Sequence, residues 1–307
     1  MKKVLVTGAS GFIGHHCIAP LLGLGYEIHA VSSQGRDVVQ TDIEWHQADL
    51  RDQRQIVALL TNTKPTHLLH LAWDMAPGKY VDSPENIAWV QGSLELVRQF
   101  SEQGGKRVVI AGSSFEYDWN YGYCSEFITP KAPSSLYGAC KNALHQLVAA
   151  YVNVSGLSLA WGRIFFLYGP REHPSRLVSS VIRSLLLGEP ARCSHGKQIR
   201  DYLHVQDVAD ALVTLLHSEV QGPINIASGQ PVALREIILQ IGQQLQRLDL
   251  LQIGAIPARA NDLPLVVADI HRLTTEVGWQ QKYDINAGLD HTIQWWKEYA
   301  EEKGTAL

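Results

Sequence analysis

The opening of the chain constrains the fold more than any other stretch. Val4-Leu5-Val6-Thr7 reads as a short apolar strand, Gly8-Ala9-Ser10-Gly11-Phe12-Ile13-Gly14 as a glycine turn, and Phe12 onward as a helix. Gly8 permits the tight turn, Gly11 lets the backbone approach an anion, and Gly14 allows the helix to pack closely on the strand. The helix N-terminus then offers free N–H groups and a positive dipole end to whatever lies over the turn. Bare glycine spacing is a weak signal. In this strand–turn–helix context it predicts a dinucleotide pyrophosphate, with Ser10, Phe12 and Ile13 part of the same cradle.

The remaining pattern agrees with a nucleotide-binding α/β fold. Glu27–Ser32, His67–Ala72 and Arg107–Ala111 read as further strands, and Leu157–Leu167 as a longer, more continuously apolar one. Such runs suit strands buried on both faces of a parallel sheet. Helical patterns lie between them at Phe12–Leu24, Gln53–Leu60, Pro84–Gln103 and Leu136–Asn153. This alternation predicts a doubly wound parallel sheet of the Rossmann type over residues 1–168. Pro20 predicts a kink in the first helix. After Gly169-Pro170 loops lengthen and Pro, Gly and Arg recur, which predicts a smaller α/β substrate-binding lobe over 169–307. Segments near 203–228 return to the first lobe. Val205–Leu216 and Leu234–Leu245 read as helices, and Asp284–Glu302 as a Trp-rich amphipathic one.

Bulk properties narrow the partners. Net charge is −4, without a Lys/Arg block, so neither nucleic acid nor an acidic membrane surface is expected. No apolar run approaches the roughly eighteen residues of a membrane span. The apolar stretch after Lys2-Lys3 breaks into Gly8-Ala9-Ser10-Gly11 too soon for a signal peptide. Cys17, Cys124, Cys140 and Cys193 show no CxxC spacing. Reduced thiols, no metal and a cytoplasmic location are therefore expected, which empties the sequon Asn153-Val154-Ser155 of meaning.

Cofactor choice rests on the end of the second strand. A site for NAD places Asp or Glu there for the ribose 2′-hydroxyl; Ser32, Ser33 and then Arg36 suit a 2′-phosphate instead. NADP(H) is therefore favoured over NAD(H).

Tyr137 and Lys141 stand four apart on one helix face. A nearby ammonium is expected to lower the tyrosine pKa and fit it for proton transfer at a carbonyl or alcohol. Tyr299 and Lys303 share the spacing but sit in a polar tail beyond the sheet strands, where a solvated helix face is the better reading. Ser113 and Ser114 follow the strand Arg107–Ala111 at the C-terminal edge of the sheet, where open α/β sheets bind ligands. Ser113 would orient a substrate oxygen.

Glycine turn, strand-end serine and Tyr-x-x-x-Lys together resemble the extended short-chain dehydrogenases/reductases that act on nucleotide sugars. The likeness covers nearly the whole chain. Asp49-Leu50 is similar to the family's adenine-bordering pair and His70-Leu71-Ala72 to its fourth-strand signature. Gly196–Val205, Asn225–Gly229 and Arg259–Pro264 resemble later signatures. The resemblance implies Ser113, Tyr137 and Lys141 as the catalytic set. It implies Leu71, Ala72, Trp73, Phe165, Tyr137 and Lys141 about the cofactor. It implies Arg176, Arg200 and Arg259, with Trp73, Ser113 and Ser114, about a nucleotide-linked sugar. It also implies a homodimer joined by the helices near Pro84–Gln103 and Leu136–Asn153.

Departures refine the expectation. Many relatives carry Asn where Arg163-Ile164-Phe165-Phe166 ends in Phe. Trp73 stands where a small residue is usual and is expected to narrow the pocket. The family's dehydratases carry Thr-Asp-Glu where Ser113-Ser114-Phe115 stands; Glu116 is one place late and on a regular strand would point elsewhere. Dehydration is thus disfavoured. Gly78-Lys79-Tyr80, Ser83–Asn86 and Glu116–Trp119 resemble the deoxysugar-reductase branch. The reading is NADPH-dependent reduction of a nucleotide-linked 4-keto-6-deoxy sugar. An epimerase with tightly held NAD is the alternative, and a non-catalytic nucleotide sensor a more distant one.

Overall fold

The computed structural model of the protein describes residues 2–34, 42–258 and 262–303. The apolar runs of the first half become parallel strands: β1 (Lys3–Thr7), β2 (Glu27–Ser32), β3 (Ile43–Gln47), β4 (His67–His70) and β5 (Arg107–Ser113). Helices α1 (Phe12–Gly23), α2 (Gln53–Thr63) and α3 (Glu85–Glu102) alternate with them. The short β6 (Tyr123–Cys124) precedes α4 (Leu136–Ser155), β7 (Ser158–Ile164) and β8 (Phe166–Tyr168). Then follow α5 (Leu177–Leu186), β9 (Ala191–Cys193), β10 (Ile199–His204), α6 (Val205–His217), β11 (Gly222–Ile226) and β12 (Pro231–Ala233). The chain ends through α7 (Leu234–Gln244), β13 (Leu251–Ile253), β14 (Leu265–Ala268), α8 (His271–Thr275) and α9 (Ile285–Lys303).

The main sheet has seven strands in the order β11-β7-β5-β4-β1-β2-β3, all parallel. It is the doubly wound Rossmann sheet expected from the alternation of elements. Burial on both faces makes its central strands uniformly apolar: Val4 and Val6 enter one core with α1 and α6, while Leu5 and Leu68 enter the other with α2 and α3. The order in which strands are added reverses between β1 and β4, so their C-terminal ends open a crevice for ligand.

Two expectations need correction. Leu157–Leu167 is not one strand. It breaks at Phe165, whose N–H turns to Ile226 O at 3.1 Å. β7 stays in the main sheet, and β8 leaves to pair with β10 of the small sheet. The strand at His67 ends at His70 rather than Ala72, because its partner β1 ends at Thr7 and leaves no further residue to pair. Elements with a short or polar signal lay outside the expectation: the edge strand β3, the helices α5 and α8, and the strands β6 and β9 to β14.

Pro20 lies inside α1 and offers no N–H to the carbonyl of His16. That carbonyl is not left bare: Gln206 Nε2 on α6 donates to it at 3.3 Å. In the smaller lobe, β12, β10, β14 and β6 form a sheet, and α5, α7 and α9 enclose a third core around Ile182, Ile241 and Trp296. Asp201 ties this lobe together. It is fully buried and accepts from Ser228 N and Oγ (2.7 and 2.6 Å), Gly229 N (3.0 Å) and Ala268 N (3.2 Å). Neighbouring residues of a strand face opposite ways, so Arg200 looks into the cleft from the other side of β10. No helix among the described residues is long and apolar enough to cross a membrane.

Candidate active site

The cleft over the sheet's C-terminal edge encloses about 630 Å3 between the two lobes. Its floor is the glycine turn. Gly8 has φ +68°, and a Cβ there would meet Ala72 N at 2.8 Å. A Cβ on Gly14 would meet Gly8 O at 2.2 Å, so α1 is packed directly on the turn. Gly11 caps α1, whose first turn has neither side-chain cap nor acidic residue. Its leading N–H groups therefore remain available to an anion. Gly8, Gly11, Phe12, Ile13 and Gly14 all line the cleft, with Leu71 and Ala72 beside them. Thr7 Oγ1 receives Leu71 N (3.2 Å) and Ala72 N (3.3 Å). It also bonds His70 Nδ1 (2.7 Å), whose Nε2 bonds Ser93 Oγ (2.8 Å). Burial pushes the His70 imidazole down to about 3, so this link between β1, β4 and α3 stays neutral. These features fit a nicotinamide dinucleotide laid from turn to sheet edge.

Other expected cofactor residues lie apart from the cleft lining. Ser10 Oγ donates to Ser32 Oγ at 3.3 Å, joining the glycine turn to the end of β2, while Ser33 is exposed. Asp49 turns to Arg51 (2.9 Å), and the hydrogen bond from Arg51 holds its carboxyl below the usual range. Leu50 is buried in the second core. Arg36 and Arg259 lie outside the described residues. Phe165 lines the cleft, as do Trp73, Ser113, Ser114, Tyr137, Lys141, Arg176 and Arg200.

Helix α4 delivers Tyr137 and Lys141. Ser135 caps it by accepting Gly138 N at 3.2 Å. Gly138 lets it come close: a Cβ there would meet Phe115 O at 2.2 Å. Both side chains are buried. Lys141 Nζ donates to Ala111 O at 2.8 Å and sits 3.7 Å from the Trp73 ring centre. Burial brings its ammonium down to about 7, against a smaller upward pull from Glu116. Tyr137 is ringed by Trp73, Tyr80 and Phe115 at 6.2, 5.1 and 5.6 Å between ring centres.

The expected lowering of the tyrosine pKa by Lys141 is not what this site does. Burial pushes Tyr137 up, and the hydrogen bond with Ser113 offsets only part of that. Lys141 is committed to Ala111 and Trp73, and its own charge is disfavoured. The Tyr137 phenol therefore keeps its proton at neutral pH.

Glu116 points away from the cleft, though not for the reason expected. The strand ends at Ser113, and Ser114–Glu116 is a single 3-10 turn closed by a capping box. Glu116 accepts from Ser113 N (2.8 Å), Trp161 Nε1 (2.9 Å) and Arg163 Nε (2.7 Å), and both members of the ion pair are 0% exposed.

Three cleft residues escaped the sequence reading of roles. Tyr80 packs against Tyr137 and carries the Arg176 guanidinium 5.5 Å from its ring centre. Glu172 is buried, accepts from Ser179 Oγ at 2.9 Å, and is pushed up to about 8 by burial. At neutral pH it is uncharged, and Arg176 has no ion pair or side-chain hydrogen bond among the described residues. Asp262 pairs with Arg200, which also lies 5.4 Å from the ring centre of Phe166. Phe166 also packs near Trp119 and Tyr202 (5.9 and 5.7 Å between ring centres), so this wall is aromatic. No regular pattern marks Tyr80 or Glu172: Tyr80 is set by the packing of its short 3-10 turn, Tyr80–Asp82, on α3 and α4, and Glu172 by the loop after β8 and its bond to Ser179 on α5.

The chain is similar in sequence and fold to known proteins. UDP-glucuronate 4-epimerase 2 of Arabidopsis thaliana is 27% identical over 340 residues, covering 98% of this chain and 77% of its own. The crystal structure of the Thermus thermophilus UDP-glucose 4-epimerase in complex with NAD is 25% identical, with a TM-score of 0.83, covering 96% of this chain and 99% of that one. MoeE5 in complex with UDP-glucuronic acid and NAD is 30% identical, with a TM-score of 0.83, over 97% and 99% of the two chains. The model of the NAD dependent epimerase/dehydratase family matches residues 4–227, from the glycine turn through Tyr137 and Lys141 to β11, and this chain belongs to that family.

Proposed function

We propose that the protein reduces a nucleotide-linked 4-keto-6-deoxy sugar, with NADPH as reductant. The observation that carries this reading is the surround of Tyr137: one buried, protonated phenol in an aromatic wall of Trp73, Tyr80 and Phe115, with Trp119 and Phe166 also on the cleft. Such a wall suits a sugar with a methyl group at C6 better than a hydroxyl-rich one. A dehydratase needs a second acid–base group, and Glu116 is locked in the core.

The nicotinamide, when bound, supplies the hydride to the keto carbon. Tyr137 gives its proton to the carbonyl oxygen, Ser113 orients that oxygen, and Lys141 holds the nicotinamide ribose. Arg176 and Arg200 grip the diphosphate, a task suited to the planar guanidinium; Arg259 is proposed for the same task. The names of the related proteins support a nucleotide sugar as the substrate class. The preference for NADPH rests on Ser32, Ser33 and Arg36 in place of a carboxylate after β2. The same reading takes the protein to work in the cytoplasm as a homodimer through α3 and α4. Exposed Ile87, Leu147 and Val154 on those helices support such an interface.

A second reading, a nucleotide-sugar epimerase, is favoured by the related epimerases and by the NAD in the Thermus thermophilus epimerase and MoeE5 complexes. Purified protein mixed with NADPH or NADH and a panel of nucleotide-linked 4-keto-6-deoxy sugars separates the two. Loss of reduced-cofactor absorbance with one sugar, faster with NADPH, supports the reductase. Interconversion of ordinary nucleotide sugars without cofactor loss, on protein that retains NAD through purification, supports the epimerase.

A further inference from the structure

β2 and β3 form the edge of the main sheet, in a register that sets His29 beside Glu44 and Val31 beside His46. Residues two apart on a strand share a face, so His29, Glu44 and His46 project together. None of them lines the active-site cleft. His29 Nδ1 lies 2.8 Å from His46 Nε2 and 3.4 Å from Glu44 Oε2. His46 Nε2 lies 3.6 Å from Glu44 Oε1. Zinc bonds of about 2.0–2.1 Å at tetrahedral angles place ligand atoms about 3.3 Å apart. The observed separations bracket that value.

A second observation concerns the far side of His29. Its Nε2 lies 3.1 Å from Glu27 Oε1, and Glu27 is held by Lys3 at 2.8 Å. An ionised carboxylate only accepts, so Nε2 carries the ring proton and Nδ1 presents its lone pair to His46 and Glu44. A carboxylate behind the imidazole is the usual support for a metal-binding histidine. The side chains of His29, His46 and Glu44 are 4%, 19% and 65% exposed. An ion therefore has an entry path on the Glu44 side, and water has room to complete the shell.

We propose that His29, His46 and Glu44 bind a divalent transition ion of the zinc type, with solvent as fourth ligand, clamping edge strand β3 to β2. Two imidazoles and one carboxylate suit zinc, cobalt or nickel; magnesium and calcium prefer oxygen donors throughout. On binding, neutral His46 shifts its proton from Nε2 to Nδ1 and gives the Nε2 lone pair to the metal, without redox change. The sequence gives no sign of such a site, because its ligands meet only through the β2–β3 register.

The test uses the full chain, stripped with a chelator and titrated with Co2+, Zn2+ and Mg2+. The expected result is a single Co2+ bound per chain with the visible absorption of tetrahedral coordination, displaced by Zn2+ and unaffected by Mg2+. The unfolding midpoint should rise by a few degrees at saturating Zn2+. His46→Ala should abolish binding, and Glu27→Gln should weaken it about 10–100-fold. Glu44→Gln, at an exposed position, keeps the test open should His46→Ala fail to fold, and should also weaken binding. Absence of stoichiometric binding below millimolar metal, or binding unchanged by the His46 and Glu44 substitutions, would overturn the proposal and leave an imidazole–imidazole hydrogen bond.

Discussion

Removing the Glu116 carboxylate should destabilise this protein rather than merely silence it. Three donors converge on Glu116 within 2.7–2.9 Å, and it and Arg163 are both wholly buried. Glu116→Ala leaves the Arg163 guanidinium with Tyr117 Oη (3.3 Å) and His145 Nδ1 (3.2 Å) as its only side-chain partners among the described residues. Breaking a buried pair from one side costs about 3–5 kcal/mol, a large share of a stability of about 5–15 kcal/mol. Glu116→Gln keeps an acceptor oxygen but loses the charge, and should cost about 1.5–3 kcal/mol. Glu116→Leu combined with Arg163→Met should recover part of the loss, because no buried charge remains. Ser113 N and Trp161 Nε1 stay unsatisfied, so recovery falls short of wild type. Urea unfolding followed by circular dichroism measures all three. Glu116→Ala with wild-type stability and no activity would refute the reasoning and return Glu116 to the chemistry.

Two further predictions concern protons. If Lys141 acts as an ammonium, kcat/KM should fall as pH rises through about 7, because that ratio reports the free enzyme; Lys141→Met should lose activity about 10²–10⁴-fold and that limb with it, which a pH–rate series reads. Glu172 keeps its proton up to about 8 in the folded chain and releases it near 4.5 in the unfolded one. Between those values the native state binds more protons, so stability falls as pH rises. At about 1.4 kcal/mol per unit the ceiling is about 5 kcal/mol. Glu172→Gln should therefore be more stable than wild type at pH 8, by about 2–4 kcal/mol on that scale, and close to it at pH 4.5. Thermal melts at the two pH values check this.

Elements with strong local signals were legible from sequence, and those that depend on partners were not. α4 carries its cap Ser135, its spacing and its terminal Gly156 in the chain, and its span was read to within two residues. β3 was invisible because Ile43-Glu44-Trp45-His46-Gln47 is a half-exposed edge strand without an apolar run. The break at Phe165 is set by Ile226, far along the chain, so a continuous apolar run looked like one strand. In the site, the glycine turn, Ser113, Tyr137 and Lys141 were readable because their spacing is the chemistry. The protonation of Tyr137 and Glu172 was not, since burial decides it. Glu116 was placed outside the chemistry by register, yet a 3-10 turn and a buried arginine are what hold it there.

The central claim is that Tyr137 protonates a keto sugar while reduced nicotinamide is consumed. Deuterium transfer tests it most directly, using NADPH labelled at nicotinamide C4 on either face and a nucleotide-linked 4-keto-6-deoxy sugar. The account predicts deuterium at the sugar carbon in step with NADP+ formed, from one of the two labels, and loss of transfer in Tyr137→Phe. Product sugar without deuterium, or undiminished transfer in Tyr137→Phe, would contradict it.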